Sequence, residues 1–140
     1  MSVMASITAY SDAQWGNCVK ITNNIIELLV TVDFGPRVIH LSRIGKDNMM
    51  YQDLSRSTIG EKLKEYDDQL RLCGGHRLWI SPEVMPRCYY PDSAPVQWEV
   101  CGNTVRFTAP VETLNNILVL TKLLVFSQDL FYIRSTRTNL

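Results

Sequence analysis

The apolar positions of this chain recur with period two, or in short runs rich in Val, Ile, Tyr and Thr, and turn residues separate them. That is the pattern of β-strands. Cys18 to Thr22 and Ile25 to Asp33 flank Asn23-Asn24, whose side chains tolerate positive φ, so the spacing predicts a two-residue type I′ hairpin. Gly35-Pro36 then breaks the run, and a third strand is expected over Arg37 to Ile44. Further along, Val96 to Cys101 and Thr104 to Ala109 flank Gly102-Asn103, while Ile117 to Phe126 and Leu130 to Thr138 flank Ser127-Gln128-Asp129. Sequential hairpins imply an antiparallel meander rather than a parallel sheet with crossover helices, and hence an all-β sandwich or barrel. The exception is Leu54 to Leu70, where Thr58-x-x-Glu61 has the form of a capping box and predicts a short helix through Tyr66. No repeat, low-complexity tract or linker composition divides the chain, so residues 1–140 read as one domain.

Composition narrows the classes of partner. Fourteen Lys and Arg balance fourteen Asp and Glu without a long block of either sign, which argues against a nucleic-acid or anionic-membrane footprint. Neutral or weakly charged partners fit better. Residues 1–12 lack the basic and apolar regions of a leader, and no apolar stretch reaches the ~18 residues of a membrane span, so a soluble, cytoplasmic protein is expected. Cys18, Cys73, Cys88 and Cys101 lie far apart with no C-x-x-C pair, and His40 and His76 add no recognisable ligand spacing. Buried free thiols are expected, with no metal and no cofactor.

Candidate chemistry concentrates in Arg71 to Val96, which holds four prolines and a glycine pair around Trp79, Tyr89 and Tyr90. Such a segment makes a poor strand, and loops carried on a rigid sheet are where binding groups gather. Gly74-Gly75 lets the backbone approach a ligand or turn sharply, with His76, Arg77, Trp79 and Glu83 close behind. The mixture suits a sugar, because an aromatic face stacks on C–H surfaces while guanidinium and carboxylate groups bond paired hydroxyls. Each residue also has a structural reading. Trp79 can plug the core, Arg77 can clamp a carboxylate such as Glu83 or Glu99, His76 can be a satisfied structural histidine, and Glu83 a solvated loop residue.

Several motifs, in order, resemble those of the galactose mutarotase-like superfamily, which includes the aldose 1-epimerases and hexose-6-phosphate epimerases. The segments are Asp33-Phe34-Gly35-Pro36-Arg37-Val38-Ile39, then Asp47-Asn48-Met49-Met50-Tyr51 as a short strand, then Gly74-Gly75-His76-Arg77-Leu78-Trp79-Ile80-Ser81-Pro82-Glu83. Tyr89-Tyr90-Pro91-Asp92 is similar to a later motif of an uncharacterised branch carrying Gly-Gly-His-Arg-x-Trp, and Ser135 to Asn139 resembles a strand end midway through these domains. The resemblance spans nearly the whole chain and implies a β-supersandwich of which this sequence is roughly the N-terminal half. It further implies a carbohydrate or sugar-phosphate ligand, taken up through Arg71, His76, Arg77, Trp79 and Glu83.

Catalysis is left open by the same resemblance. Mutarotation needs a base for the anomeric hydroxyl and an acid for the ring oxygen. The epimerases use a late Glu and a mid-chain His, and neither matches a position here. His76 is the catalytic candidate of this chain, with Glu83, Asp92, Glu99 and Glu112 as the carboxylates available to oppose it. Aldose epimerases carry His immediately before the glycine pair, where this chain has Cys73; hexose-6-phosphate epimerases carry Arg, for which Arg71 is a loose match on the same face of an extended segment. Three functions follow: a mutarotase-like domain that binds a carbohydrate, with catalysis possible only in a longer chain or an assembly; a non-catalytic sugar-binding module; or a truncated β domain acting through self-association or protein partners. Ile117 to Phe126 is apolar enough that uncovered strand edges would favour a homo-oligomer.

Overall fold

The computed structural model describes residues 5–55, 72–77, 82–84, 88 and 93–111, and the backbone of strands 117–126 and 131–139. These residues form two antiparallel sheets of four strands each. The first runs in order through β1 (Ser6–Asp12), β2 (Gly16–Thr22), β3 (Ile26–Thr31) and β4 (Val38–Arg43). The second runs through β5 (Gln97–Cys101), β6 (Thr104–Thr108), β7 (Ile117–Phe126) and β8 (Phe131–Asn139). Every paired neighbour is adjacent in sequence, so the all-β antiparallel meander expected from the alternation is the one found.

Register explains how the sheets stack. Directly opposed residues of an antiparallel pair share a face, and faces alternate along each strand. Val19 and Ile21 oppose Val30 and Leu28, and Val30 opposes Val38 across β3 and β4. These side chains are fully buried against Val96, Val105 and Phe107 of the second sheet. The two sheets therefore meet as a sandwich around one apolar layer. Phe107 is the largest fully buried side chain among them, and truncating such a residue typically costs about 3–5 kcal/mol. On the outward side of β5 and β6, Glu99 and Arg106 pair across the ladder at 3.0 Å.

The opposite face of the first sheet is also partly covered. Cys18, Leu29 and Ile39 pack there with Trp15, Cys73 and Phe34. Burial on both faces is why β3 reads as a nearly continuous apolar run, Leu28 to Val30, rather than as clean alternation.

Several local expectations are corrected. A strand, β1, precedes the expected first one; Asp12 Oδ1 accepts from the Gln14 and Trp15 amides at 2.8 and 2.9 Å and closes its turn into β2. The expected third strand is thus the fourth. The hairpin after β2 is displaced by one residue, since Thr22 pairs with Glu27 and the Asn23 amide donates to the Ile26 carbonyl. The loop is then Asn24-Ile25, and of these only Asn24 takes a positive φ, 68°, whereas a type I′ turn needs both. The Asn23 carboxamide causes the displacement, accepting from the Ile25 and Ile26 amides at 3.1 and 2.8 Å. Gly102-Asn103 forms the expected two-residue turn, with Gly102 at φ 62°. Val96 lies just outside its strand, its amide donating to the Val32 carbonyl at 2.8 Å and tying the start of the second sheet to the end of β3. In the last hairpin Phe126 pairs with Phe131, so β8 begins one residue after the expected Leu130.

Asp47 to Tyr51 does not form the short strand that the resemblance implies. The Asn48 side chain takes the place of a strand backbone along the edge of β4. Its Oδ1 accepts from the Leu41 and Met50 amides at 3.0 Å each, and its amide group donates to the Ile39 carbonyl at 3.1 Å. The helix expected from Thr58 through Tyr66 lies outside the described residues. Among the described residues, no helix is long and apolar enough to cross a membrane.

Candidate functional site

The Gly-Gly-His-Arg segment is built onto the end of β4. His76 forms a two-way backbone bridge with Val38, its amide donating at 2.8 Å and its carbonyl accepting at 3.0 Å. On its other side the segment pairs with residues 51–53. The Gly75 amide donates to the Tyr51 carbonyl at 2.7 Å, and the Asp53 amide donates to the Cys73 carbonyl at 3.0 Å. The glycine pair is thereby pressed between two backbones. A Cβ at Gly74 would run into the Tyr51 carbonyl and one at Gly75 into the Val38 carbonyl, and both residues hold positive φ, 75° and 68°. The close approach anticipated from the sequence is therefore made by the chain's own backbone.

Arg37 locks this arrangement from the neighbouring loop. Its side chain is 4% exposed, and Nη1 donates to the Gly74 carbonyl at 3.0 Å. Thr31 shapes the loop that delivers it. The Thr31 hydroxyl donates to the Phe34 carbonyl at 2.7 Å and accepts from the Arg37 amide at 3.2 Å. The Phe-Gly-Pro-Arg and Gly-Gly-His-Arg motifs are thus one physical unit.

Of the sequence-derived site residues, His76 is exposed on this fixed backbone and Arg77 is half-buried beside it. Arg77 does not clamp Glu99, which pairs with Arg106 instead. Its Nη2 donates to the Cys88 carbonyl at 3.1 Å. Cys88 is itself the knot of a tight turn, with its amide donating to the Val84 carbonyl at 3.0 Å and its sulfur accepting from the Val84 amide at 3.1 Å. The Cys88 thiol also donates to the Pro82 carbonyl at 3.3 Å. Glu83 is exposed on that turn. The structure therefore gathers His76, Arg77 and the Glu83 turn. Arg71, Trp79, Asp92 and Glu112 lie outside the described residues.

No family model, curated protein or solved structure matches this chain.

All four cysteines are free thiols; Cys18, Cys73 and Cys88 are buried and Cys101 is half-exposed. Burial, then the carboxylates of Asp12 and Asp33, push the Cys18 thiol up to about 12. That keeps it protonated and inert at neutral pH. Among the described residues no cluster of His, Cys, Asp and Glu has the makings of a metal site.

Sequence reasoning missed a second polar cluster, on the outer face of the first sheet. Register sets Thr8, Lys20, Leu29 and His40 in one row, and Ser6, Thr22, Glu27 and Ser42 in the next. Lys20 Nζ lies 2.6 Å from Glu27 Oε2, and His40 Nε2 lies 2.9 Å from Ser42 Oγ and 3.9 Å from Glu27 Oε1. The ammonium of Lys20 also sits 5.5 Å from the centre of the Tyr10 ring. Lys20 and Glu27 share a face in either register of the β2–β3 hairpin, but His40 joins them only through the register of β3 with β4.

Proposed function

We propose that this chain is a carbohydrate-binding β-sandwich whose recognition segment is the loop from Gly74 to Cys88, with His76 and Glu83 as exposed polar groups among its described residues. One observation carries the reading: the His76 side chain is exposed while its backbone is held to Val38 in both directions, at 2.8 and 3.0 Å. A polar side chain on an immobilised backbone loses little entropy on binding, which suits a ligand recognised through a few directed hydrogen bonds. The balanced charge of the chain favours a neutral or weakly charged ligand over a polyanion. The motif resemblance to the galactose mutarotase-like superfamily points the same way and adds mutarotation as a candidate activity.

A titration with aldoses and sugar phosphates, followed by Trp fluorescence, tests the reading. Saturable quenching by a sugar, lost in His76→Ala, is expected. A flat response from folded protein across the whole panel would overturn it. Polarimetry on the same sugars separates the two carbohydrate readings, since acceleration above buffer supports an isomerase and its absence leaves a binding module.

A further inference from the structure

The two edges of the first sheet differ. Along β4, the Asn48 side chain bonds the Leu41 amide and the Ile39 carbonyl, and the Gln52 side chain donates to that same carbonyl at 3.0 Å. The Met49 amide donates to the Leu41 carbonyl at 2.8 Å, and His76 bridges Val38. At the opposite edge, β1 pairs with β2 over all seven of its residues without a bulge. Its other side carries no hydrogen-bonded backbone partner among the described residues.

The apolar layer between the sheets also runs out at this strand. Ile7 and Ala9 oppose Ile21 and Val19, both fully buried, so all four belong to the inward face. Yet Ile7 is only half-buried and Ala9 is exposed. An added strand would therefore cover apolar surface as well as bond the open backbone. Ser6 to Ser11 holds no charged residue and no proline, the residues by which edge strands commonly avoid pairing.

Register and charge select a second copy as the partner. Two β1 strands running antiparallel about a two-fold axis at Ala9 set Ala9 against Ala9, Thr8 against Tyr10, Ile7 against Ser11 and Ser6 against Asp12. The smallest side chain of the strand falls on the axis, and each Asp12 lies opposite a serine rather than the other Asp12. Ile7, Ala9 and Ser11 of both copies share one face, so the inward rows stay on the same side of the joined sheet. The edges of the second sheet are poorer. Turned about its own centre, β5 sets Glu99 against Glu99, and β8 carries Arg134 and Arg137. From these relations we infer that β1 is a dimerisation edge, through which the four-stranded first sheets of two copies join into one continuous antiparallel sheet.

Sedimentation velocity of the purified chain at concentrations up to about 1 mM reads the association, with circular dichroism showing each protein folded. Ala9→Lys and Ala9→Glu each set like charges against one another at the axis, whereas an equimolar mixture of the two sets opposite charges there. The inference expects a concentration-dependent wild-type dimer, weakened about tenfold or more in either variant alone and recovered in the mixture. Hydrogen exchange of the wild type needs no substitution: protection of the β1 amides should rise with protein concentration while that of β3 stays constant. A folded wild type that remains monomeric throughout would overturn the inference and leave this edge to a strand of another protein. A dimer that both variants leave intact, or a mixture that fails to recover, would overturn it as well.

Discussion

Arg37 Nη1 donates to the Gly74 carbonyl at 3.0 Å, joining two motifs that stand 37 positions apart in the chain. Arg37 is nearly fully buried, and its backbone is set by Thr31 and by the bridge that Val38 makes with His76. Removing this side chain leaves the Gly74 carbonyl without a charged donor and opens a gap beside the glycine pair. Arg37→Ala should destabilise the domain by about 2–4 kcal/mol, a charged hydrogen bond plus lost packing. In native-state hydrogen exchange the Gly75 and His76 amides should lose protection before those of β2 and β3. Equal loss everywhere would mean that Arg37 does not hold this segment specifically.

Gly74 and Gly75 carry a stronger demand than a positive φ alone. Either one changed to Ala must take a left-handed backbone and push its new methyl into a carbonyl, so each should cost about 3 kcal/mol or more. Gly102→Ala is the control, because φ is 62° there but a methyl meets nothing within 4 Å. It should cost about 1–2 kcal/mol in urea denaturation. Similar values for all three would remove the close-approach explanation.

Asn48→Ala strips the edge of β4 of the side chain that bonds the Leu41 and Met50 amides and the Ile39 carbonyl. A loss of about 1–3 kcal/mol is expected, with faster exchange at the Leu41 amide. Asn48→Asp should keep the two accepted bonds and lose the donated one, and so fall between wild type and Ala.

Cys18 makes stability depend on alkaline pH. Its thiol is raised to about 12 in the folded chain, against an ordinary value of 9.0, chiefly by burial and then by Asp12 and Asp33. Between those values the unfolded chain has given up the proton and the folded chain has not. The contribution is therefore complete below pH 9 and is lost as pH rises toward 12, at up to about 1.4 kcal/mol per pH unit. Cys18→Ala should flatten that part of the stability profile. Iodoacetamide at pH 8 should label Cys101, the half-exposed thiol, well before Cys18.

Arg77→Ala should speed labelling of Cys88, because Arg77 Nη2 secures the Cys88 carbonyl. Peptide mapping after a brief iodoacetamide pulse would measure this, and an unchanged Cys88 rate would show the turn to be self-supporting. Since Arg77 shapes the turn that carries Glu83, a loss of sugar binding in Arg77→Ala would not identify a contact residue. His76→Ala leaves the backbone bridge to Val38 intact and is the cleaner probe.

The hairpins were legible where two apolar runs flank a turn of fixed length, as at Gly102-Asn103, because that pattern leaves one register. The Asn23-Asn24 turn was displaced because the Asn23 carboxamide reaches forward to two amides, a side-chain bond that periodicity does not encode. Strand β1 escaped notice because its residues are mostly exposed and its apolar signal is weak. In the candidate site, the unusual character of Gly74-Gly75 was visible, but its cause was not. Its neighbours at Val38 and Tyr51 are distant in sequence and reach it through main-chain atoms that look alike for every residue. The Lys20, Glu27 and His40 cluster depends on the register of three strands together, and so emerged only with the sheet.

The central claim is that the loop on the end of β4 takes a carbohydrate through His76. Calorimetric titration of wild type and His76→Ala with the same aldose and sugar-phosphate panel tests it most directly, with circular dichroism showing both proteins folded. A saturable heat for at least one sugar, absent or weakened about tenfold or more in His76→Ala, is the predicted result. No heat for any sugar in folded wild type, or equal affinity in the variant, would contradict it.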